Sequence, residues 1–349
     1  MASFNPSTNA TNSTFRVLVT DYVWPSTQPE REVLAQIGAE IIEAPDPSEE
    51  TLAALAPEVD AIMTCFALVT PAVVRAARRC LVISRYGVGV DNIAVETATQ
   101  EGIVVTYLPD YCVDEVSDHV LALLLAWNRQ LGFYDAAAKR GQWGGLTPPV
   151  PLVRLRGSRL GIIGLGRIGQ AVAVKARAFG LELLGYDPHL PLDAALPVAV
   201  RRVDLPTLLA ESDYITLHTP LNEATRGLIG AREFAMMKDS AFIINCARGP
   251  IIDEDALYQA LRDRRIAGAG LDVLERADPP PEHPLFQLDN LLVTPHVAFL
   301  SQQSVHELEV RTAQATADVL RGRRPQFLVN PEVLPRARAV WSGNQGSPN

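Results

Sequence analysis

The chain has 349 residues, enough for two domains that each bury a hydrophobic core. Hydrophobic residues make up 48% of the chain and charged residues 20%, a balance typical of globular proteins. The net charge of −9 argues against a general nucleic-acid surface, and the longest apolar run, residues 120–127, is far too short to span a membrane.

The cysteines and the ends of the chain indicate the compartment and the extent of the folded part. The four cysteines contain no CxxC pair and lie in apolar sequence, which favours a reduced, cytoplasmic protein. The first fifteen residues lack the charged and apolar segments of a signal peptide, so none is expected. Residues 1–14 and 336–349 are polar or rich in Pro, Gly and Ser, and they are expected to be flexible tails.

Between residues 15 and 112, short apolar segments alternate with helical patterns. Strands are predicted at 15–20, 40–43, 60–64, 81–84 and 103–106, with helices at 30–38 and 71–79 among the segments that separate them. Buried strands that alternate with helices predict a parallel sheet with helices on both faces.

A long helix is predicted next, at 114–131, with Asp114 or Ser117 as its N-cap. Its middle is apolar on every side, so this helix must be buried, either within its domain or against another subunit. A second alternating series follows a proline-rich loop, with strands predicted at 160–164, 182–186, 214–217, 241–245, 267–271 and 291–293. This spacing predicts a six-stranded doubly wound sheet.

A glycine-rich turn joins the first strand of this series to a helix predicted at 170–179. Gly164, Gly166 and Gly169 form a GxGxxG pattern, which allows a tight turn, close approach of the backbone to a pyrophosphate, and close helix–strand packing. The next strand ends at Asp187, an acid placed to accept hydrogen bonds from a ribose 2′-hydroxyl and to repel a 2′-phosphate. The pattern predicts a site that prefers NAD to NADP, and a glycine turn without a ligand is the alternative.

Three further polar segments follow strands of the same sheet, at 217–220, 245–249 and 294–296. Open α/β sheets bind ligands at the carboxyl ends of their strands. Arg248 can grip a carboxylate with its planar guanidinium, and His296 can transfer a proton near neutral pH. Each residue alone is more often structural, but their order after a dinucleotide motif favours a catalytic site. No metal is predicted.

These motifs resemble those of the D-isomer-specific 2-hydroxyacid dehydrogenases over about residues 15–330. The resemblance is carried by 85–92 (RYGVGVDN), 164–169 with Asp187, 218–220 (HTP), 222–229 (NEATRGLI), 245–249 (NCARG), 271–273 (LDV) and 294–296 (TPH). The segment 111–118 (YCVDEVSD) and Arg85 are similar to the C-terminal-binding-protein branch of the family.

The resemblance implies an α/β architecture of two doubly wound parallel-sheet domains. A Rossmann NAD domain, residues 113–298, is inserted in a split flavodoxin-like substrate domain, residues 15–112 and 299–335. It also implies NAD as cofactor, a small anionic 2-oxo or 2-hydroxy acid as substrate, and a homodimer formed through the NAD domain, without nucleic-acid or membrane partners.

The resemblance also implies roles for individual residues. Arg248 binds the substrate carboxylate and carbonyl, and His296 is the acid/base. The implied substrate-binding positions are Arg85, Val88, Gly89 and Phe299; for Val88 and Phe299 a purely packing role is the alternative. The implied cofactor contacts are Gly164, Gly166, Arg167, Ile168, Gly169, Asp187, His218, Thr219, Pro220, Cys246, Ala247 and Asp272.

One catalytic position departs from the family. The glutamate that pairs with the family's histidine lies five residues after the aspartate of the LDV motif, and counting from Asp272 gives Ala277. A carboxylate beside an imidazole orients it and raises its pKa, so without one His296 is expected to be less protonated at neutral pH. Asp278 is the expected substitute, with Glu275 or water as alternatives.

The sequence therefore predicts an NAD-dependent oxidoreductase that interconverts a 2-oxo acid and an (R)-2-hydroxy acid by hydride transfer. Arg248 would anchor the substrate and His296 would transfer the proton. Two alternatives stay open. One is a weakly active or non-catalytic NAD-binding sensor or partner-binding protein of the same fold, and the other is hydride transfer from another small anion.

Overall fold

The computed structural model describes residues 15–191 and 193–342, so most of the two predicted tails lies outside the described residues. The described chain divides into two compact units. One unit is formed by the residues up to Tyr111 and from Val305 onward, and the other by Cys112–Ser304. The predicted domain borders follow residues 112 and 298, whereas in the structure the chain changes unit after residues 111 and 304.

The first unit is built on a five-stranded sheet. Its strands are β1 (Arg16–Val19), β2 (Glu40–Glu43), β3 (Ala61–Thr64), β4 (Val82–Arg85) and β5 (Val104–Thr106). They pair in the order β2-β1-β3-β4-β5, and every pairing is parallel, as predicted. Its helices are α1 (Gln28–Ala35), α2 (Glu49–Leu55), α3 (Pro71–Ala76), α4 (Val95–Gln100) and most of α11 (Gln302–Leu320).

The second unit contains a seven-stranded sheet. Its strands are β6 (Arg159–Ile163), β7 (Glu182–Tyr186), β8 (Arg201–Arg202), β9 (Tyr214–Leu217), β10 (Phe242–Asn245), β11 (Gly268–Leu271) and β12 (Leu291–Val293). The order is β12-β11-β10-β9-β6-β7-β8, again parallel throughout. Its helices are α5 (Val113–Asn128), α6 (Leu131–Lys139), α7 (Arg167–Ala178), α8 (Leu205–Glu211), α9 (Ala231–Phe234) and α10 (Glu254–Arg262).

The prediction of six strands in this sheet is wrong by one edge strand. Arg201 and Arg202 pair with Leu184 and Gly185 of β7 and extend the sheet beyond it. A two-residue strand made only of arginine has no apolar alternation, so no sequence pattern reveals it.

The long helix predicted at 114–131 is α5, which ends at Asn128, and a further helix that was not predicted, α6, begins at Leu131. Gln130 adopts a left-handed conformation (φ 50°), which ends the regular helical path just before α6. The predicted caps are also wrong, because Cys112 occupies the N-cap position, and its side chain does not cap the helix. The Ser117 hydroxyl instead donates to the carbonyl oxygens of Val113 and Asp114 within the helix.

Helix α5 is buried within its own unit, which is one of the two environments expected for it. Leu123 and Leu124 pack in the core with residues of β6 and α7, and the Trp127 indole stacks on the Phe242 ring at 4.6 Å. No helix in the described ranges, α5 included, is long and apolar enough to cross a membrane.

Residues 336–342 are held by specific contacts, so the prediction of a flexible tail is wrong for this part of it. The Arg338 guanidinium donates to the carbonyl oxygens of Ala77 and Arg78 and pairs with Glu101 at 2.8 Å. Ala339 is 4% exposed, and the Ser342 amide donates to Gly322. A polar and proline-containing composition thus does not exclude order when one arginine can satisfy several carbonyl groups.

Two buried acids interact electrostatically in the first unit. Glu30 in α1 is fully buried and accepts a hydrogen bond of 3.0 Å from the Tyr86 hydroxyl. Glu309 in α11 is 7% exposed. Burial, and then the negative charge of Glu30, raise the pKa of Glu309 from 4.5 to about 7. The folded protein therefore holds a proton at Glu309 that the unfolded chain loses near pH 4.5.

This linkage predicts how stability changes with pH. The stability contributed by protonated Glu309 is fully present below pH 4.5 and is lost as the pH rises through about 7. Glu309→Gln keeps the shape and removes the charge, so we expect a melting temperature higher than that of the wild type at about pH 8 and a flatter pH dependence from about pH 5.

The matched control is Glu307→Gln, two residues away on the same helix, where the carboxylate is 46% exposed and pairs with Arg311. Thermal melts across this pH range measure the effect. Parallel curves for wild type and Glu309→Gln would contradict it.

Candidate active site

The parallel register aligns the last residues of six strands in the second unit. Tyr186 pairs with Ile163, Ile163 with Leu217, Leu217 with Asn245, Asn245 with Leu271 and Leu271 with Val293. The segments that follow these strands therefore start along one edge of the sheet. They contain the predicted residues Gly164, Asp187, His218, Arg248, Asp272 and His296.

Each glycine of the GxGxxG turn has a separate steric requirement. A Cβ on Gly164, which has φ 94°, would lie 2.7 Å from the carbonyl of His218. A Cβ on Gly169 would lie 2.1 Å from the carbonyl oxygen of Gly164, because α7 packs tightly on the turn. A Cβ on Gly166 would meet no atom within 4 Å. Gly164 and Gly169 are thus required by the fold, whereas the open space beside Gly166 suits a ligand.

The first turn of α7 is open for an anion. Gly166 is its N-cap and provides no side-chain acceptor, and the first turn contains no acidic residue. Gly166 and Arg167 are exposed, while Ile168 is partly buried. Unsatisfied N–H groups at the start of a twelve-residue helix fit the pyrophosphate of a dinucleotide.

The Asp187 carboxylate is already partly bonded. One oxygen accepts the Leu165 amide of the glycine turn at 2.9 Å, and the other accepts the amides of His189 at 2.9 Å and Leu190 at 3.2 Å. A carboxylate has about four acceptor positions, so roughly one is left for a further donor such as a ribose hydroxyl. Asp187 therefore fixes the turn and still presents an acceptor beside it.

The segment after β9 contains a neutral histidine and an unsatisfied hydroxyl. Burial lowers the pKa of His218 to about 3, and its Nε2 lies 2.9 Å from the Thr216 hydroxyl. The Thr219 hydroxyl oxygen is buried without a hydrogen-bond partner in the described part of the chain. Such an atom fits a site that a ligand completes. Pro220 follows at the surface.

The segment after β10 presents Arg248. The Asn245 side chain donates to the Arg248 carbonyl oxygen and accepts the Ala247 amide, which ties the turn. The partly buried Arg248 guanidinium donates to the carbonyl of Ala247 at 2.8 Å. Burial, and then the nearby charge of Asp272, raise the pKa of the Cys246 thiol well above 9. Cys246 is therefore a neutral thiol and not a nucleophile.

The segment after β12 contains His296 and is bound to Asp272, the residue that follows β11. Asp272 is 1% exposed. Its carboxylate accepts hydrogen bonds from the Thr294 hydroxyl and from the amides of Val297 and Ala298. The Phe299 ring stands edge-on to the His296 ring, with centroids 6.1 Å apart. These contacts with Asp272 were missed from the sequence, where it was predicted only as a cofactor contact.

The loop that contains Ala277 is exposed in its middle. Ala277 and Asp278 are both exposed, and the Asp278 carboxylate lies 3.4 Å from the Arg276 guanidinium with 87% of its side chain in solvent. The Glu275 amide donates to the Glu254 carboxylate at 2.9 Å. No cluster of three or more histidine, cysteine or acidic side chains that could bind a metal occurs in residues 15–191 and 193–342.

In the first unit, the predicted residues lie at the end of β4 and directly after it. Arg85 is 6% exposed, and its Nε donates to the Asn92 side chain at 3.2 Å. Its guanidinium lies 5.9 Å from the Phe66 ring centre. Gly87 has φ 137°, and a Cβ there would lie 2.9 Å from the Arg85 guanidinium. The turn is therefore shaped around the arginine side chain. The next residue, Val88, is 36% exposed.

The second unit thus has the doubly wound sheet and glycine turn of a dinucleotide-binding α/β protein. The family model described as "D-isomer specific 2-hydroxyacid dehydrogenase, NAD binding domain" matches residues 121–298. The chain belongs to the D-isomer-specific 2-hydroxyacid dehydrogenase family. This confirms the predicted family and its NAD-binding domain.

Individual relatives agree with this assignment. The chain is 38% identical to a D-3-phosphoglycerate dehydrogenase of Methanocaldococcus jannaschii over 93% of its own length, but it spans only 61% of that protein. It is 38% identical to a glyoxylate reductase of Korarchaeum cryptofilum, over 84% of this chain and 89% of that one. The crystal structure of a glyoxylate reductase from Paecilomyes thermophila superposes with a TM-score of 0.82 and 29% identity, covering 92% of this chain and 99% of that one.

The open space beside Gly166 gives a prediction about ligand binding. In Gly166→Ala the new Cβ meets no protein atom and the backbone (φ −72°) suits alanine, so we expect an almost unchanged melting temperature. The same methyl group would occupy the path of a pyrophosphate, so NADH affinity should fall by about tenfold or more.

Two matched variants check this reasoning. Gly132→Ala in α6 also adds a Cβ in open space, and it should leave NADH binding unchanged. Gly169→Ala should destabilise the fold, because its Cβ would overlap the Gly164 carbonyl. Fluorescence titration with NADH and thermal melts measure the two properties. NADH binding of wild-type strength by Gly166→Ala would show that the turn does not hold the phosphates.

Proposed function

We propose that the protein is an NAD-dependent oxidoreductase that interconverts a 2-oxo acid and an (R)-2-hydroxy acid. The observation that supports this most is the placement of Arg248, Asp272 and His296 after three adjacent strands of a sheet that also contains a dinucleotide turn. The names of the relatives support a small substrate such as glyoxylate or hydroxypyruvate, and D-3-phosphoglycerate is a further candidate.

The residues of the glycine turn fit the cofactor. The open N-terminus of α7 would bind the pyrophosphate, and Asp187 would accept a ribose hydroxyl with its remaining acceptor position. A 2′-phosphate would meet a carboxylate held by three amides, which favours NAD over NADP. When bound, the reduced cofactor supplies the hydride that C2 of the oxo acid receives.

The two remaining roles, substrate binding and proton transfer, belong to Arg248 and His296. Arg248 binds the substrate carboxylate and polarises the carbonyl through its planar pair of N–H donors. His296 donates a proton to the carbonyl oxygen as C2 is reduced, and in the reverse direction it removes the hydroxyl proton. Strand ends two positions apart in a sheet are separated by roughly 10 Å, which leaves room for a three-carbon acid between the two side chains.

The first unit contributes further residues to the proposal. Arg85 adds a second contact to the substrate carboxylate, and the backbone N–H groups of Val88 and Gly89 assist. Phe299, which contacts the His296 ring, faces the substrate side chain. Arg85 and the segment 111–118 support the C-terminal-binding-protein branch as the place of this chain within the family.

Alanine at position 277 favours one alternative, a weakly active or non-catalytic protein that binds NAD. The deciding experiment measures NADH oxidation with glyoxylate, hydroxypyruvate and pyruvate, the same with NADPH, and NADH binding without substrate. We expect turnover with NADH above turnover with NADPH, and a loss of about a hundredfold or more in kcat/KM for Arg248→Gln. NADH binding without turnover on any 2-oxo acid would favour the alternative.

The tuning of His296 gives a second prediction. Ala277→Glu restores a carboxylate, so the apparent pKa of the pH–rate profile for hydroxyacid oxidation should rise and reduction at neutral pH should become faster. Asp278 is the proposed substitute partner, and because it is highly exposed, Asp278→Asn should lower this apparent pKa only slightly. Profiles that stay unchanged in both variants would show that no carboxylate of this loop tunes His296.

A homodimer formed through the second unit is also proposed. Trp143 is 82% exposed, Leu131 55% and Val153 51%, and all three lie close in sequence around α6. Nearby, Trp127 and Phe133 contribute to the lining of a largely apolar depression of about 550 Å³. A second copy of the chain would bury this surface. Light scattering at micromolar concentration should give the mass of a dimer, and Trp143→Asp should shift it towards a monomer.

The proposed location is the cytoplasm. All four cysteines lie in the described part of the chain and are thiols. Burial raises the pKa of both Cys65 and Cys80 to about 12, which keeps these thiols protonated. Four reduced cysteines support a reducing compartment.

A further inference from the structure

The loop after β12 holds His296 in a backbone conformation that needs support. His296 has φ 55°, in the left-handed region that residues other than glycine rarely adopt. Such a conformation persists where surrounding contacts over-determine it, and those contacts often belong to the working parts of a site. The groups that hold this loop therefore set where the imidazole lies.

Asp272 holds the loop through its backbone carbonyl and its carboxylate. Its carbonyl oxygen accepts the His296 amide at 2.8 Å. Its carboxylate accepts the Thr294 hydroxyl at 2.6 Å and the amides of Val297 and Ala298 at 2.9 Å each. Four donors from five consecutive residues thus converge on one buried acid.

His119 on α5 contacts both Thr294 and Asp272. Its Nε2 lies 2.9 Å from the Thr294 hydroxyl and 3.7 Å from an oxygen of the Asp272 carboxylate. The Thr294 hydroxyl has one hydrogen, which it donates to the carboxylate because an ionised carboxylate only accepts. Thr294 must then accept a hydrogen bond from His119. The contact requires the form of His119 that has a proton on Nε2.

The far end of the loop is attached to the same helix. The Ser301 hydroxyl donates to the Glu115 carboxylate at 2.7 Å, and Glu115 precedes His119 by one helical turn. Helix α5 is a firm support, because its own residues Val120 and Leu124 are fully buried in the hydrophobic core of the second unit. One face of α5 therefore holds both ends of the segment 294–301.

We propose that His119 is a positioning residue for proton transfer: by donating from Nε2 to Thr294, it orders the Thr294–Asp272 cluster that holds the His296 loop. This inference rests on the proposed function in so far as His296 is the proton donor. It adds a residue of α5 that lies 177 positions from His296 in the chain.

The position of the His296 ring starts from the backbone of its loop, which Asp272 holds. Ala277 supplies no carboxylate, Asp278 is exposed, and the Phe299 ring stands edge-on to the imidazole. A displacement of about 1 Å at a reacting group is enough to slow a reaction by about a hundredfold. Loosening of the loop should therefore act on the chemical step more than on binding of the cofactor.

The experiment compares His119→Leu, which removes the donor, with His119→Gln, whose amide nitrogen reaches about as far as Nε2. For the reduction of glyoxylate or hydroxypyruvate by NADH, we expect kcat to fall by about tenfold or more in His119→Leu, with the KM for NADH nearly unchanged. His119→Gln should regain most of the lost kcat. Asp118→Asn, at an exposed neighbouring position paired with Lys175, is the matched control.

A second variant changes Thr294, the other residue of the contact with His119. Thr294→Val removes the acceptor at nearly constant volume and should lower kcat as His119→Leu does, even if the leucine variant folds poorly. Because both changes break one chain of hydrogen bonds, the double variant should be little slower than the slower single variant. Independent, multiplicative losses would overturn the proposal, as would equal losses in His119→Gln and His119→Leu.

A readout that does not need turnover separates this inference from the proposed function. In protein labelled at its six histidines, the His296 ring signal is assigned by its loss in His296→Gln. It should shift or broaden in His119→Leu and return towards its wild-type position in His119→Gln. If wild type shows no turnover but this pattern holds, the proposed function fails and the positioning role stands. An unmoved His296 signal together with wild-type kcat in His119→Leu would overturn the positioning role.

Discussion

The parallel register of the seven-stranded sheet is the constraint on which the candidate site depends. Buried strands must pair every backbone N–H and C=O group, so the ladder sets which residue of each strand is the last to be paired. For six strands these last residues lie side by side, from Tyr186 through Ile163 and Leu217 to Val293. The segments that leave the sheet begin directly after these residues. For this reason, polar side chains that are distant in sequence lie at one edge of the sheet, whether or not they contact one another.

Two acids at this edge hold segments of the candidate site in place. Asp187 binds the glycine turn to the end of β7, and Asp272 binds the end of β11 to the loop that contains His296. Each carboxylate accepts at least three hydrogen bonds from its surroundings, which restricts its movement. Donors and acceptors that are already ordered need little rearrangement when a ligand binds. A substitution of either acid therefore perturbs local order as well as the proposed ligand contacts, and neutral isosteres separate the two effects better than alanine does.

The parts of the molecule that the sequence predicts well are those determined by local pattern. Strands β1 to β5 lie within one residue of their predicted bounds, because each is a short run of buried apolar residues between polar turns. The glycine turn is equally readable, since its steric requirements act within a few residues. The strand Arg201–Arg202, the break at Gln130 and the ordered segment around Arg338 have no such local signal. The contact between His119 and Thr294 spans 175 residues, so only the folded sheet reveals it.

The scaffold around position 277 is intact although the expected glutamate is missing. Glu254 accepts the Glu275 amide with one oxygen and lies 2.9 Å from the His283 ring with the other, which ties the loop at both ends. Gly249 presses against the same loop, since a Cβ there would lie 2.0 Å from the carbonyl of Leu274. The loop path is thus set by Glu254 and by the residue next to Arg248, and not by the exposed side chain at 277. Exchanging that side chain alters the charge offered to the site while leaving the backbone in place. The departure from the family is therefore a change of side chain on a loop whose path other residues set, and a single substitution can reverse it.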